Sequence, residues 1–183
     1  MSKQFFQLFI LLCSCNLVSA GQNLALRRNY TLSAKPNYYL CTDKYDSIQL
    51  TDGKKYGSQW TKKSTVGWQS VEPVVEIVID LGEKSAINEV RIHTVGGGFA
   101  EVEFPEFAVV LLSDEGVEFG FAGLLSSKNL SNVKARGYRG ASRTISIGNI
   151  NASGRYVKLV IRPNWRYVFL DEVEIFGNSL SAI

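Results

Sequence analysis

The sequence predicts an all-β protein, an antiparallel β-sandwich of two sheets with a jelly-roll type of connection. Three observations indicate this class. Apolar and polar residues alternate in several short runs, turn-forming residues separate these runs, and no stretch keeps a helical period over the length of a helix. Short strands divided by turn signals are typical of antiparallel sandwiches.

The strands can be followed along the chain from their alternating apolar residues. Long ordered loops are expected over residues 36–68, where turn formers are frequent and no periodicity is sustained. The last two strands are the clearest, because Val157, Leu159 and Ile161 alternate up to Pro163, and the pattern resumes after an aromatic loop. We expect strands at residues 23–33, 75–82, 87–92, 107–111, 119–124, 143–147 and, as a pair, within 154–177.

Composition and charge indicate one ordinary globular domain. The chain has 183 residues, of which 45% are hydrophobic and 20% charged. Its formal net charge is only +3, and its basic pairs are scattered along the chain. Because no basic stripe is formed, we do not expect nucleic acid as a partner.

The first twenty residues have the order of a secretory signal peptide. Lys3 precedes an apolar run, and small residues follow up to Ala20. The apolar run is too short to span a bilayer, so we expect cleavage after Ala20 and a single exported domain over residues 21–183. The alternative is a lipoprotein signal, in which Cys15 is lipidated and becomes the new N-terminus. Cleavage after Ala20 leaves Cys41 as a lone cysteine, expected to be a small buried hydrophobe.

The residues that carry catalysis in common enzyme classes are scarce. His93 is the only histidine and lies in a strand pattern, where we expect a partly exposed residue instead of a catalytic or zinc-binding one. Glu101 and Glu103 resemble a glycosidase pair in spacing alone, and a solvated face explains them better. The sequence therefore predicts a protein that is not an enzyme.

A set of short motifs resembles one family when the motifs are taken in order. The chain from Asn23 to Gly177 is similar to the discoidin-like domains, also called coagulation factor 5/8 C-terminal (F5/8 type C) domains. These belong to the galactose-binding-like superfamily together with family 32 carbohydrate-binding modules. The resemblance implies a β-sandwich that binds a ligand with loops at one end. It rests on Leu50-Thr51-Asp52-Gly53, Ser58-Gln59-Trp60, Ile79-Asp80-Leu81-Gly82, Ser113-Asp114-Glu115-Gly116, Gly154-Arg155-Tyr156-Val157 and Glu172-Val173-Glu174-Ile175-Phe176-Gly177.

The resemblance also implies a structural calcium ion. Its side-chain ligands would be Asp52, Ser58 and Glu172, with main-chain carbonyl oxygens completing the shell, since calcium takes hard oxygen ligands. The alternative is that Asp52 and Gly53 form a simple turn and that Glu172 is an exposed strand residue.

Loop aromatics predict a carbohydrate site. An aromatic ring packs against the apolar face of a sugar, while amide and guanidinium groups bond its hydroxyls. Trp60 is excluded, because its place in the family pattern implies a core residue. The ligand-binding residues predicted on this basis are Tyr38, Trp68, Phe99, Asn164, Trp165 and Arg166.

The sequence thus predicts an exported, non-catalytic module that binds a glycan or polysaccharide, either secreted or held at the cell surface. The alternative is a structural or adhesion module that binds a surface protein through the same loops. Three N-x-S/T sequences, at Asn29, Asn129 and Asn151, leave N-glycosylation open.

Overall fold

The computed structural model describes residues 21–57, 59–71, 73–97, 100–126 and 140–180. In these ranges the chain forms nine strands and one short 3-10 turn, Gln49–Thr51. None of the helical structure within them has the length or apolar character that crossing a membrane requires. The strands are β1 (Gln22–Asn23), β2 (Tyr30–Leu32), β3 (Val66–Gln69), β4 (Val75–Gly96), β5 (Phe107–Ser113), β6 (Gly120–Ser126), β7 (Ala141–Ile147), β8 (Ala152–Arg162) and β9 (Tyr167–Ser179).

One long strand, β4, takes part in both layers of the sandwich. Its first half, from Val75 to Asp80, pairs with β2 and β8. After a corner at Gly82, which has a φ of +85° suited to glycine, its second half pairs with β7 and β9. All pairings are antiparallel. The first layer is completed by β5 and β6, and the second by β3 and β1 on the outer side of β9.

The corner brings both termini of β4 to the same end of the sandwich. Val75 pairs with Ile161 near the end of β8, and Gly96 pairs with Ala141 at the start of β7. We call this end, where β3 and β8 finish and β5 and β9 begin, the site end. The opposite end, which contains Gly82, is the corner end.

Alternation of apolar residues builds the core between the layers. Val75, Ile77 and Ile79 of the first layer are fully buried, as are Ile92 and Val173 of the second, and all five belong to one cluster. Burial of apolar area on this scale is the main stabilising contribution to such a fold. Cys41 is a buried free thiol, as expected, and burial raises its pKa to about 12. These observations confirm the predicted all-β antiparallel sandwich.

Three predicted strands differ from the structure. Residues 23–33 form two short strands and not one, because the Asn23 side chain accepts hydrogen bonds from the N–H groups of Ala25 and Ile175, and the chain turns there. Residues 75–96 form one strand and not two, because β4 pairs with β8 on both sides of the corner, Asp80 with Tyr156 and Ser85 with Gly154. The predicted signal peptide at 1–20, including Cys15, lies outside the described residues.

Candidate functional site

The turn between β8 and β9 presents three predicted residues at the site end. Asn164, Trp165 and Arg166 are all exposed, and 57% of Trp165 is accessible to solvent. Pro163 ends β8, since it cannot donate to a neighbouring strand. The Arg166 carbonyl accepts a hydrogen bond of 2.6 Å from the Ser70 N–H, which fixes the turn to the end of β3. The three side chains therefore project from an anchored turn.

Trp165 is held from the side by a second loop. Its indole Nε1–H donates to Glu101 Oε2 at 3.1 Å, and Glu101 comes from the loop between β4 and β5. Glu101 has a φ of +60°, and Ala100 and Ser70 beside the same end have φ values of +66° and +55°. Left-handed conformations at residues other than glycine are uncommon and cluster at functional sites. Sequence reasoning identified Glu101 as a solvated acid and missed its contact with Trp165.

An aromatic cluster lies beneath this end and includes Tyr38. The buried Phe169 ring is 4.9 Å from the centroid of Tyr38, 5.8 Å from that of Tyr167 and 6.4 Å from that of Trp60. Tyr38 is half-buried in these contacts, and Trp60 is a core residue with 7% exposure, as predicted. The neighbouring Tyr39 is 76% exposed, although the sequence analysis did not place it in the site. Tyr38 thus lies at the same end as Trp165, mainly as part of its base.

Trp68 is a correction to the predicted site. It is fully buried in β3, and its indole Nε1–H donates to the Ala34 carbonyl at 2.8 Å. A ring with no exposed face cannot stack on a sugar, so Trp68 is a core residue. Phe99, the remaining predicted ligand residue, lies outside the described residues.

Two of the predicted metal ligands, Asp52 and Glu172, lie where the loop 52–56 meets the outer edge of β9. The loop 52–56 follows this edge, and Glu172 accepts hydrogen bonds from the Gly53 N–H with both carboxylate oxygens, at 3.2 and 3.1 Å. Asp52 accepts from the Lys54 N–H at 2.8 Å. Glu172 is fully buried, which contradicts the alternative of an exposed strand residue. Ser58 lies outside the described residues.

Glu172 is an unusual group because it is a buried acid without a cationic partner among the described residues. The pKa of Glu172 is raised to about 8, mainly by burial; the N–H groups of Gly53 and Lys54 oppose the rise, and the nearby carboxylates of Asp52 and Glu174 add to it. Of the two neighbouring acids, Glu174 does have a cationic partner, since its carboxylate lies 2.7 Å from Lys55 Nζ. No set of three or more histidine, cysteine, aspartate or glutamate side chains is gathered for a metal within the described ranges. The side-chain donors available there to a cation are thus the two carboxylates of Asp52 and Glu172.

His93 is a further correction. It lies in β4 as predicted, but it is buried, and its Nδ1 forms a hydrogen bond with Asp171 Oδ1. Asp171 is the extra residue of a β-bulge in β9, because His93 pairs with Glu172 and Thr94 with Leu170. The second oxygen of Asp171 accepts from the Tyr56 N–H at 2.9 Å. The pair therefore links the two central strands to the loop 52–56.

Comparison with solved structures relates this arrangement to known proteins. The lectin domain of lectinolysin, solved in complex with Lewis B antigen, is 19% identical and superposes with a TM-score of 0.61, covering 86% of this chain and 98% of that chain. A fucose binding module from Streptococcus pneumoniae is 19% identical with a TM-score of 0.59, covering 86% of this chain and 96% of that chain. CpGH89CBM32-6, produced by Clostridium perfringens, is 16% identical with a TM-score of 0.51, covering 86% of this chain and all of that one.

The likeness rests on structure alone, because no protein-family model and no curated sequence matches the chain. At identities below one fifth it defines the fold, and function has to be argued from the site. The predicted resemblance is confirmed at the level of the fold: the chain has the same β-sandwich fold as these carbohydrate-binding modules and lectin domains.

Proposed function

We propose that the protein is an exported, non-catalytic module that binds glycan at the site end, through Trp165 with Asn164 and Arg166. The observation that carries the proposal is the hydrogen bond between Trp165 and Glu101, which orients an indole ring that is more than half exposed. A ring fixed in this way loses little conformational freedom when a sugar stacks on it. Arg166 and Asn164 are exposed beside it and supply donors for sugar hydroxyls.

The fold supports the ligand class. The similar structures include a lectin domain solved with Lewis B antigen and a fucose binding module, so glycan binding is common on this scaffold. Export is the second part of the proposal and rests on the signal-like order of residues 1–20, with lipid attachment at Cys15 as the variant form.

We also propose a structural calcium ion between the loop 52–56 and β9. The fit rests on the buried Glu172 carboxyl group, which has no cationic partner in the described ranges, and on the nearby Asp52 carboxylate. These two side chains would hold the ion, with Ser58 and main-chain carbonyls as further oxygen donors. The ion would neutralise both carboxylates and tie the loop to the edge of β9.

A glycan array with the full chain, run with and without a calcium chelator, tests the glycan proposal. We expect binding to a defined set of sugars. Absence of binding to every sugar would contradict the proposal and favour a second candidate, an adhesion module for a surface protein. That candidate is favoured by Tyr39, which is 76% exposed at the same end, because exposed aromatic residues are enriched in protein interfaces.

A further inference from the structure

A second candidate site lies near the corner end, in a groove that the glycan proposal does not use. One wall is the turn between β1 and β2, and the other is the 3-10 turn with the residues that follow it. The groove has a volume of about 360 Å³, which is within the range of small-molecule sites. We call it the arginine groove, and its lining residues are Arg27, Arg28, Asn29, Ile48, Thr51, Asp52 and Lys54.

The arginine groove carries an excess of positive charge. Three cations, Arg27, Arg28 and Lys54, face one carboxylate, Asp52. In the described ranges none of the three cations forms an ion pair, whereas Lys55 and Arg155 are each paired with a carboxylate. The oxygens of Asp52 accept hydrogen bonds from the Lys54 N–H and the Tyr56 hydroxyl, and this carboxylate forms no ion pair with any of the three cations. Arg28 lies near the Asp80 carboxylate, which is paired with Arg155, and Lys54 Nζ lies 5.9 Å from the centroid of the Tyr56 ring. Neither contact is an ion pair, so a net positive charge remains in the groove for an external anion.

The two arginines are held on a rigid base. The Arg27 N–H donates to the Thr51 carbonyl at 2.6 Å, and the Thr51 hydroxyl donates to the Arg28 carbonyl at 2.8 Å. The Arg28 N–H donates to the Ala25 carbonyl at 3.0 Å, closing the turn. Arg27 has a φ of +59°, a left-handed conformation that these bonds maintain. The backbone thus places two adjacent guanidinium side chains at one groove before any ligand arrives.

We propose that the arginine groove binds the anionic groups of an acidic polysaccharide, either a sulfate ester or a uronate carboxylate. Guanidinium groups form bidentate, charge-assisted hydrogen bonds with such oxyanions, and they do so with better defined geometry than ammonium groups. The choice of a polysaccharide as carrier of the anion rests on the glycan-binding function proposed above. The groove is near the corner end and Trp165 is at the site end, so the proposed anion site and the proposed sugar site are separate.

The test compares two double variants of the full chain that lose the same charge. Arg27→Gln with Arg28→Gln removes the guanidinium pair, and Lys35→Gln with Lys62→Gln removes two exposed lysines that do not line the groove. Binding is measured to heparin as the sulfated polymer, to polygalacturonate as the carboxylated polymer, and to vesicles of phosphatidylserine in phosphatidylcholine. Melting curves establish that each variant is folded.

We expect binding to at least one of the two polymers, with roughly tenfold weakening in the arginine variant and little change in the lysine variant. The polymer that responds identifies the anion as sulfate or carboxylate. Equal weakening in both variants would overturn the proposal, since it would reflect general charge alone. Absence of binding to both polymers would also overturn it, as would arginine-dependent binding to the vesicles without binding to either polymer.

A third variant, Trp165→Ala, separates this inference from the proposed function. It should leave the arginine-dependent binding unchanged. One outcome is that no neutral sugar on the array is bound, while binding to heparin or polygalacturonate still depends on Arg27 and Arg28. This outcome would contradict the glycan site at Trp165 and support the arginine groove. If neutral sugars bind but neither acidic polymer binds, the result would contradict the anion site in the arginine groove and support the glycan site at Trp165.

Discussion

Trp165 and Glu101 come from different loops, 64 residues apart, and are joined by a hydrogen bond of 3.1 Å between the indole Nε1 and a carboxylate oxygen. The bond uses the edge of the ring and not its faces, which suits a platform for stacking. Neither residue belongs to the buried core, since Glu101 is exposed and Trp165 is 57% exposed. Binding and stability should therefore be separable at this position.

Trp165→Ala should weaken sugar binding by roughly tenfold or more and change the melting temperature little. Stacking of a ring on a ligand contributes about 1–3 kcal/mol, by analogy with bases stacked on aromatic side chains. The measurement is sugar affinity by calorimetry beside melting temperature.

The matched control is Trp68→Ala, which removes the same type of side chain from the core. It should cost about 3–5 kcal/mol of unfolding free energy, because Trp68 is fully buried. If Trp165→Ala melts far below the parent, or binds the sugar equally well, the turn after β8 is structural and is not the binding site.

Chelation of calcium should lower the melting temperature of the full chain, because an ion bound only by the native state stabilises that state by mass action. Asp52→Ala should lower it as well and should abolish the effect of the chelator. Asp114→Ala is the control, because Asp114 is an exposed carboxylate paired with Lys84 and remote from Glu172. An unchanged melting curve in excess chelator would contradict the calcium proposal. The loop 52–56 would then be a simple turn, held by the hydrogen bonds from the Gly53 N–H to Glu172.

Gly177→Ala should destabilise the fold, whereas Gly120→Ala should be nearly neutral. A Cβ atom added at Gly177 would lie 2.0 Å from the Ala86 carbonyl oxygen, and a backbone atom in a strand cannot move aside. Overpacking of this kind costs about 1–3 kcal/mol or more. At Gly120, also in a strand, the added atom meets nothing within 4 Å. Chemical denaturation of the two variants measures their free energies of unfolding. Equal values would contradict the prediction and would show that β4 and β9 can separate locally.

The pH dependence of stability should include a contribution from Asp46. Burial raises its pKa from 3.8 to about 6, while N–H groups of Asp43 and Gln49 oppose the rise. Below about pH 4 this carboxyl is protonated in both states, and above about pH 6 it is ionised in both. The folded state binds the extra proton between these values, so the contribution of Asp46 is greatest at low pH and is lost as the pH rises through about 6.

Asp46→Asn removes this titration and leaves the other groups in place. The melting temperature of the variant minus that of the parent should increase between pH 4 and pH 7 by more than about 3 °C, since 1 kcal/mol corresponds to about 2–4 °C at this chain length. A difference that is constant over the range would contradict the raised pKa.

Strand alternation was sufficient to predict the fold, because buried and less buried residues alternate along Val75–Leu81 of β4, Phe107–Leu112 of β5 and Val157–Ile161 of β8. It failed at residues 23–33, where the Asn23 side chain takes the place of strand pairing. Trp68 had a usable signal that was overlooked. Val66 and Trp68 stand two residues apart and share one buried face, as in any half-buried strand.

The site was predictable only in part. Pro163 and the following aromatic residues indicated an exposed turn, and the turn is exposed. The contact with Glu101 and the burial of His93 against Asp171 depend on residues 64 and 78 positions apart in the chain. No local pattern encodes such distances, since they result from how β4 and β9 are brought together.

The corner in β4 has a consequence for engineering. Since this strand leaves the site end and returns to it, the loops before and after it lie there together with the turn after β8. The paired strands provide most of the stability, and these loops form the exposed surface at the site end. Exchange of residues 100–106 together with the turn 163–166 would therefore change the surface of the site end and leave the paired strands β4, β8 and β9 as they are. Exchange of either loop alone would separate residue 165 from its partner at 101.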